Sequence, residues 1–524
     1  MDRILSGSVA QAKQALQAGT LSYVDLVKAC LNRMKQIESL NAYVTAFEET
    51  SVSAAALNDV KGKQQSLLCG IPFAVKDNFC MQGVRTTCAS KMLYDYHPPY
   101  TATVVNRLLR AGMIAVGKTN MEEFAMGAGG VMSFNGAIKN VWKSGIPQHL
   151  VSCNDESISN VKDPSECETD WYVAGGSSGG SAVAVASGSC FAALGSDTGG
   201  SVRAPASLNG IIGMKPSYGL LSRHGLISLV NSLDTVGVMA RKAEDVAIVL
   251  LAMIGRDKLD STSVDAPQEL VDDLKGLHDC SNWETKKTNL RIGLPKEYFS
   301  KEMHPEVVDA WDSVAGILSD TGMSVEVVSQ PHADLACPCY AVLNTAEVAS
   351  NFARYDGLEY GLRIPGETVS TNHLYASNRA AGFGNIVKGR ILTGNYFLLK
   401  ENYEEYFEKA LKIRRLISED FKTAFSEKKF DFLLTPVHNS PALKYSQFMQ
   451  LQENYEEFTL HDHCTMPANM AGVPAVVFPV RLSAGGMPIS LQLIGPMFSE
   501  GKLLGLVKWI EKRLNFPRLE LMSS

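Results

Sequence analysis

Two loops rich in glycine and serine, separated by a short apolar stretch, are the feature that most limits how this chain can fold. Residues 175–181 read Gly-Gly-Ser-Ser-Gly-Gly-Ser, and residues 195–201 read Gly-Ser-Asp-Thr-Gly-Gly-Ser. Glycine is favoured where a backbone turns sharply or must bring its N–H groups close to a ligand. With one upstream lysine, these loops are the parts of a hydrolase that needs no histidine.

The second loop contains a candidate nucleophile, Ser201, together with candidate oxyanion donors. If Ser201 attacks a carbonyl carbon, negative charge develops on the oxygen beside this loop. Backbone N–H groups already aimed at that charge typically make the largest electrostatic contribution to acyl transfer. Gly199, Gly200 and the N–H groups around them are the candidate donors.

Lys76 is the candidate base. It follows an apolar, strand-like segment at residues 71–75, which would deliver the lysine to the end of a strand. A serine hydroxyl needs a neighbouring base to remove its proton, and a lysine can do this only when it is neutral. Its pKa would have to fall from about 10.4 to about 7, a change of about 4 kcal/mol that burial can supply. Ser177 could relay the proton between Lys76 and Ser201.

The same residues allow other interpretations. A glycine-serine run can be a flexible linker. It can also cradle a phosphate, but the Gly-Lys-Ser/Thr ending of the P-loop is missing here. Residues 175–179 match the Gly-x-Ser-x-Gly nucleophile elbow, which needs an acid and then a histidine downstream. Asp234 and His332 are available in that order.

The motifs taken together resemble the signature of the amidase-signature family, the Ser-Ser-Lys amidohydrolases. The resemblance includes Lys76, both loops, the continuation of the second loop to Pro205, and the Gly-Met-Lys-Pro segment at 213–216. It implies an α/β fold in which one large catalytic domain spans residues 1–524. A central mixed β-sheet would be covered by helices on both faces, with a helical segment over about 1–65 at its N-terminus.

The resemblance also implies roles for individual residues. Ser201 would be the nucleophile, Ser177 the bridging serine after a non-proline cis peptide bond, and Lys76 the base. The oxyanion loop would be formed by Thr198, Gly199 and Gly200.

Within the family, the chain is most similar to the glutaminase subunits of tRNA-dependent amidotransferases, as segments 117–127, 222–226 and 389–394 indicate. The resemblance implies a subunit that releases ammonia from glutamine. Two other subunits, of B and C type, would complete a heterotrimer that amidates the glutamate of Glu-tRNA(Gln). No cofactor is implied for this subunit, whereas ATP and magnesium are expected on a partner subunit.

Free glutamine carries an α-carboxylate and an α-ammonium group, so its pocket needs one fixed cation and one fixed anion. The resemblance assigns these roles to Arg390 and Asp462, and it places Tyr340 in the same pocket. A fatty-amide hydrolase would need apolar residues there. Where the family often has Gly-Ser-Ser, residues 127–130 read Gly-Ala-Gly-Gly, so a hydroxyl near the pocket is expected to be absent.

Bulk properties are those of an enzyme from a reducing compartment. The 524 residues include 11 cysteines, an odd number without regular spacing, which favours free thiols. The formal net charge of -6 indicates no broad basic face, so tRNA contacts would need local patches or a partner. No apolar run reaches the length of a membrane span. A polar insert over about 142–171 resembles the animal mitochondrial branch and implies placement in the mitochondrial matrix.

The sequence His461-Asp462-His463-Cys464 raises a zinc hypothesis. Adjacent residues rarely converge on one ion, and this spacing fits no common zinc pattern. We therefore expect no metal.

Periodicity predicts the order of several elements. Residues 8–60 are helix-like, and 255–289 is a polar connection with a short helix. A strand at 290–294, an amphipathic helix over 307–318 and a strand at 323–328 follow. The amphipathic run 502–514 is predicted to be a helix packed on the core, although docking on a membrane is the alternative.

Two other functions fit the same residues. One is a stand-alone amidase that acts on another small amide. The other is a catalytically silent scaffold that keeps the fold for assembly of a complex, and the intact Lys76, Ser177 and Ser201 count against it.

Overall fold

The computed structural model describes residues 1–61, 66–151, 157–161, 170–277, 289–366, 370–454 and 463–522. The strands are β1 Tyr43–Ala46, β2 Pro72–Lys76, β3 Ile114–Thr119, β4 Gln148–Val151, β5 Ser157–Val161, β6 Ala192–Asp197, β7 Ile212–Lys215, β8 Thr235–Ala240, β9 Arg291–Pro295, β10 Ser324–Val328, β11 Phe432–Pro436, β12 Ala475–Leu482, β13 Pro488–Ile494 and β14 Arg518–Leu521.

The helices are α1 Asp2–Leu5, α2 Val9–Ala18, α3 Tyr23–Gln36, α4 Glu48–Lys61, α5 Thr103–Arg110, α6 Gly179–Ala186, α7 Arg203–Leu208, α8 Ala243–Met253, α9 Gln268–Gly276, α10 Pro305–Asp320, α11 Ala336–Asn351, α12 Thr371–Gly382, α13 Asn385–Leu398, α14 Lys409–Lys422, α15 Tyr445–Glu453, α16 Met466–Ala471 and α17 Glu500–Leu514. Short helical turns connect several of them.

An 11-stranded sheet organises the molecule in the order β1-β3-β2-β6-β8-β7-β12-β13-β11-β9-β10. Strands β3, β2 and β6 run parallel, as do β11, β9 and β10, and the strands between them are antiparallel. Helices α6 and α8 pack against the first half of the sheet, and α10 and α17 pack against the second. The predicted α/β fold with a mixed central sheet is therefore confirmed.

The N-terminal segment was predicted to be helical, but the structure shows that it also contains a strand. Helices α2, α3 and α4 are present, but Tyr43–Ala46 forms the edge strand β1, which pairs antiparallel with β3. The aromatic and β-branched residues Tyr43, Val44 and Thr45 favour an extended backbone. The helical interpretation missed this short strand because its pairing partner lies far along the chain.

The elements predicted after residue 290 are present with small shifts of their ends. Strand β9, helix α10 and strand β10 follow one another as expected. Within the connection at 255–289, α9 is the predicted short helix, and residues 278–288 lie outside the described residues. In α17, Leu503, Val507 and Ile510 are buried, which supports packing on the core.

Part of the predicted polar insert forms a second, 3-stranded sheet in the order β14-β4-β5. Strand β4 pairs antiparallel with β5 and with the C-terminal strand β14. At the end of the insert, the Trp171 ring stacks on Tyr445 with ring centroids 4.9 Å apart. Residues 152–156 and 162–169 of the insert lie outside the described residues.

Among the helices described, none combines the length and the apolar character that crossing a bilayer requires.

Candidate active site

Two neighbouring parallel strands, β2 and β6, bring the lysine and the second loop together. Val75 of β2 is paired with Leu194 of β6, so that Lys76 at the end of β2 lies beside the end of β6. The chain leaves β6 at Asp197 and enters the loop that contains Ser201. The first loop, with Ser177, precedes α6, which packs against both strands.

The Lys76 amine is enclosed by hydroxyl groups. Lys76 is 0% exposed, and its Nζ lies 2.8 Å from the Oγ of Ser177 and 2.8 Å from the Oγ of Ser178. A third hydroxyl, that of Ser196, lies 2.9 Å away. Because no carboxylate of the described residues lies within ion-pair distance of this amine, the site does not hold it in the charged form by direct pairing.

Burial lowers the pKa of Lys76 to about 7, against the opposing effect of Asp197 and more distant acids. A lysine with this pKa is substantially neutral near pH 7 and has a lone pair that can accept a proton. The pKa is close to the value that the chemistry was predicted to need.

The sequence interpretation missed two of the hydroxyls and an amide that orient this amine. Ser196 Oγ accepts a hydrogen bond of 2.9 Å from the Nδ2 of Asn78, and Ser178 Oγ donates to the carbonyl of Ser196 at 3.3 Å. With its N–H groups donated to Ser178 and Ser196, a neutral amine would direct its lone pair to the hydroxyl of Ser177. Each of these residues lies within two positions of a predicted site residue, but their side-chain directions cannot be read from the sequence.

The peptide bond between Gly176 and Ser177 is cis, as the resemblance implied.

A buried carboxylate shapes the loop that contains Ser201. Asp197 Oδ1 accepts the N–H of Gly200 at 2.8 Å, and its Oδ2 accepts the N–H of Val202 at 3.1 Å. Arg203 pairs with the same carboxylate at 3.1 Å. Burial alone would raise the pKa of Asp197, but the Arg203 guanidinium holds it well below its usual range. The loop is thus fixed by a charge that stays ionised.

The hydrogen bonds of Asp197 limit which N–H groups of the loop can donate to an oxyanion. The N–H of Gly200 is already donated to Asp197. The N–H groups of Thr198, Gly199 and Ser201 donate to no other group within the described ranges. Thr198 and Gly199 are therefore the predicted donors that remain available, with Ser201 as an addition, and the oxyanion role itself stays a prediction.

Ser177 and Ser201 are not hydrogen bonded to each other through their side chains in the part of the chain that the structure describes. The two loops are joined instead by the N–H of Ser178, which donates to the carbonyl of Ser201 at 3.1 Å. Catalytic hydrogen bonds are often long or poorly aligned before substrate binds. The first link of the relay, Lys76 to Ser177, is formed, and the second, Ser177 to Ser201, stays a prediction.

A cavity of about 160 Å³ opens over Ser201. Tyr340, Arg390 and Gln452 supply polar side chains to its wall, and Met126 and Met466 supply apolar ones. Gln452 was not predicted, because nothing in the sequence connects the end of α15 with the two loops. A larger cavity, of about 490 Å³, lies between the N-terminal helices and α17 and contains none of the predicted site residues.

Two of the three predicted substrate-binding residues, Tyr340 and Arg390, line the smaller cavity over Ser201. The Tyr340 hydroxyl lies 3.2 Å from Thr198 Oγ1 and accepts from Asn344 Nδ2 at 3.0 Å. Arg390 Nη1 donates to Asn344 Oδ1 at 3.0 Å, and Arg390 makes no ion pair with a carboxylate among the described residues. Its charge is thus available to an anionic ligand. Asp462 lies outside the described residues.

The nucleophile-elbow interpretation finds no support in the geometry. The His332 ring lies 2.9 Å from Asp420, and Asp234 accepts the backbone N–H groups of Leu229 and Val230. Neither residue is hydrogen bonded to Ser177 within the described ranges, so no Ser-His-Asp arrangement forms there.

Regarding zinc, no group of three or more potential metal ligands is found among the described residues, and His461 and Asp462 lie beyond them.

Comparison with protein families agrees with this geometry. The family model described as Amidase matches residues 25–146 and 149–504. The chain therefore belongs to the amidase family.

Particular relatives narrow the comparison. The chain is 48% identical over 521 residues to the A-type subunit of the mitochondrial glutamyl-tRNA(Gln) amidotransferase of Ixodes scapularis, with 99% of this chain and 98% of the relative covered. Identity to the human protein of the same name is 46% over 523 residues, covering 99% and 96%.

Solved structures show the same fold. The A-type subunit of glutamyl-tRNA(Gln) amidotransferase from Thermotoga maritima matches with a TM-score of 0.74 and 30% identity over 99% of both chains. Peptide amidase from Stenotrophomonas maltophilia matches with a TM-score of 0.75 and 25% identity over 98% of both chains.

Proposed function

We propose that this chain is the glutaminase subunit of a glutamyl-tRNA(Gln) amidotransferase in mitochondria. The observation that carries the proposal is the buried amine of Lys76, 2.8 Å from Ser177, beneath a small cavity in which Arg390 has no carboxylate partner among the described residues. A neutral base supports acyl transfer, and an available cation supports a substrate with a carboxylate. The names of the relatives supply the biological setting.

In the proposed reaction, Ser201 Oγ attacks the side-chain amide carbon of glutamine. Its proton passes to Ser177 Oγ while the Ser177 proton passes to Lys76 Nζ, which becomes charged. The tetrahedral oxyanion is stabilised by the available N–H groups of the 198–201 loop. The same relay, run in reverse, protonates the leaving nitrogen, so that ammonia departs and a glutamyl ester remains on Ser201.

Water completes the cycle. The neutral Lys76, again through Ser177, removes a proton from a water molecule that attacks the ester carbonyl. Ser201 is released with its hydroxyl proton restored, and the product is glutamate. One glutamine and one water thus give glutamate and ammonia, without any cofactor in this subunit.

The cavity supports a small, charged amide over a fatty amide. A volume of about 160 Å³ is small beside the cavities that hold drug-sized ligands, about 300 Å³ or more. Arg390 would bind the α-carboxylate, with its guanidinium held by Asn344, which in turn donates to the Tyr340 hydroxyl. Asp462 is proposed as the anion for the α-ammonium group.

The proposed assembly includes B-type and C-type subunits in a heterotrimer in the mitochondrial matrix. The partner subunits would bind Glu-tRNA(Gln), ATP and magnesium and use the ammonia. This division agrees with the formal net charge of -6 on the chain, which is unsuited to binding a polyanion over a broad surface.

The proposal is tested with glutamine labelled at its amide nitrogen. We expect labelled ammonia from the chain with its partner subunits, and labelled Gln-tRNA(Gln) when Glu-tRNA(Gln) and ATP are added. Hydrolysis of simple amides without hydrolysis of glutamine, with and without partners, would contradict the proposal and favour a stand-alone amidase.

Arg390→Ala is expected to raise the KM for glutamine by about 10- to 100-fold, because a charge-assisted hydrogen bond to the α-carboxylate contributes about 1.5–3 kcal/mol. Glutaminamide, which lacks the carboxylate, should lose little. Steady-state kinetics on both substrates measure the difference. As a control, Arg379→Ala removes an arginine of α12 that is bonded to backbone carbonyls. Equal losses on both substrates for Arg390→Ala would contradict the assignment.

A further inference from the structure

The carboxylate of Glu122 is buried beside the active site without a cationic partner among the described residues. Glu122 is 0% exposed and makes no ion pair with a lysine or arginine of that part of the chain. Its Oε1 accepts the N–H groups of Gly130 at 2.6 Å and Val131 at 3.2 Å, and its Oε2 accepts that of Met132 at 2.6 Å. A buried carboxylate without an ion pair is costly, so a site that retains one has a use for its charge or its geometry.

The segment that Glu122 holds forms one wall of the substrate cavity. Gly127, Ala128 and Met132 line this cavity together with Arg390. They belong to the segment 127–132, which contains all three N–H groups that the carboxylate accepts. This cavity wall is therefore fixed to the protein interior by one side chain.

The other side of Glu122 contacts the relay serine. Its backbone N–H donates to the carbonyl of Ser177 at 3.2 Å. The fit is close on both sides, since a Cβ added to Gly176 would lie 2.9 Å from Glu122 Cγ. A Cβ added to Gly127 would lie 2.5 Å from its carboxyl carbon. Glu122 thus fills the space between the Ser177 loop and the cavity wall.

We propose that Glu122 is a positioning residue that holds the cavity wall 127–132 and the relay serine Ser177 in one fixed arrangement. The inference rests on the proposed function for the identity of the substrate and for the roles of Ser177 and Lys76 in proton transfer. Glutamine would then be bound by a wall whose position is set by the same residue that supports the proton relay.

The charge of Glu122 acts in two directions. Burial raises the pKa of Glu122, while its three backbone donors and Arg390 oppose that effect. The negative charge of Glu122 also raises the pKa of Lys76, and so it opposes part of the decrease that burial causes. The groups that act on Lys76 in the same direction are Asp197, Cys88 and Asp234.

The test is Glu122→Gln, which keeps the shape but removes the charge and turns one acceptor into a donor that faces backbone N–H groups. We expect kcat/KM to fall by about 100-fold, because a small misplacement of catalytic groups can lower a rate by about that factor. We also expect the acid limb of kcat/KM to move to lower pH, because loss of the negative charge favours the neutral Lys76. A merely structural defect would lower activity without moving the limb.

Glu500→Gln is the matched control. Glu500, the first residue of α17, is equally buried, and its Oε1 accepts the N–H of Ser217 at 2.7 Å. The same chemical change there is expected to lower the melting temperature without moving the acid limb. Glu122→Asp, which keeps the charge, should leave the limb near its wild-type position while lowering kcat/KM.

A second readout does not depend on catalysis. Amide hydrogen exchange of segment 127–132 is expected to become faster in Glu122→Gln and to stay unchanged in Glu500→Gln. If wild-type protein released no ammonia from glutamine, the proposed function would fail. The role of Glu122 would still be decided by hydrogen exchange and by the acid limb on whichever amide is hydrolysed. Unchanged exchange in this segment, or an unmoved acid limb, would overturn the inference.

Discussion

Replacing Ser201 by alanine is expected to lower ammonia release from glutamine by about 10⁴-fold or more, as loss of the nucleophile does in other serine hydrolases. Ser201 lines the cavity together with its loop glycines and Arg390, and no other described serine lines the wall. The variant keeps the pocket, so glutamine should still bind. Ammonia release by the complex and glutamine binding by calorimetry give the two readouts.

Ser187→Ala is the matched control for this variant. Ser187 lies after the last residue of α6, is buried, and donates its hydroxyl to the carbonyl of Ala184. We expect it to keep nearly full activity with a modest loss of stability. Undiminished ammonia release by Ser201→Ala would instead support the silent-scaffold interpretation, with the observed activity arising elsewhere in the complex.

Replacing Lys76 by methionine, a neutral side chain of similar length, is expected to lower the rate by about 10³- to 10⁴-fold. General-base assistance is worth about 10²- to 10⁴-fold, and the variant also disrupts the hydroxyl network around the amine. The double variant Lys76→Met with Ser201→Ala should be no worse than Ser201→Ala alone, because residues that act as a unit do not lose activity additively.

The pH dependence of the wild-type enzyme belongs to the same prediction. Since burial lowers the pKa of Lys76 to about 7 and only the neutral amine is a base, kcat/KM should rise with pH through about 7 and then level off. Lys13→Met is the control, because Lys13 is a buried lysine of α2 that lies far along the chain from the site. A rate that does not change with pH across this range, or an active Lys76→Met variant, would remove the lysine from the mechanism.

The sequence predicted the contact between Lys76 and Ser177 for an identifiable reason. A lysine after an apolar strand is expected at the end of that strand, and a serine between glycines is expected in a tight loop. The family resemblance then predicted that these two residues act together. The strand neighbours β2 and β6 then brought the ends together. The hydroxyls of Ser178 and Ser196 were missed, because the direction of a side chain depends on local dihedral angles that a motif does not specify.

Glu122 shows a different limit of sequence interpretation. It is one of two adjacent glutamates in the segment 117–127, and acidic residues are mostly exposed. Only the fold shows that the first is enclosed between a catalytic loop and a cavity wall. The strands β1 and β14 were missed for a related reason, since each is short and pairs with a segment far away in the chain.

The most direct measurement is mass spectrometry of the complex, quenched shortly after mixing with labelled glutamine at several pH values. We expect a glutamyl adduct on Ser201 that forms faster as the pH rises through about 7 and is absent from Lys76→Met. An adduct on another residue, no adduct while ammonia is being released, or one that forms equally well without the lysine would contradict it.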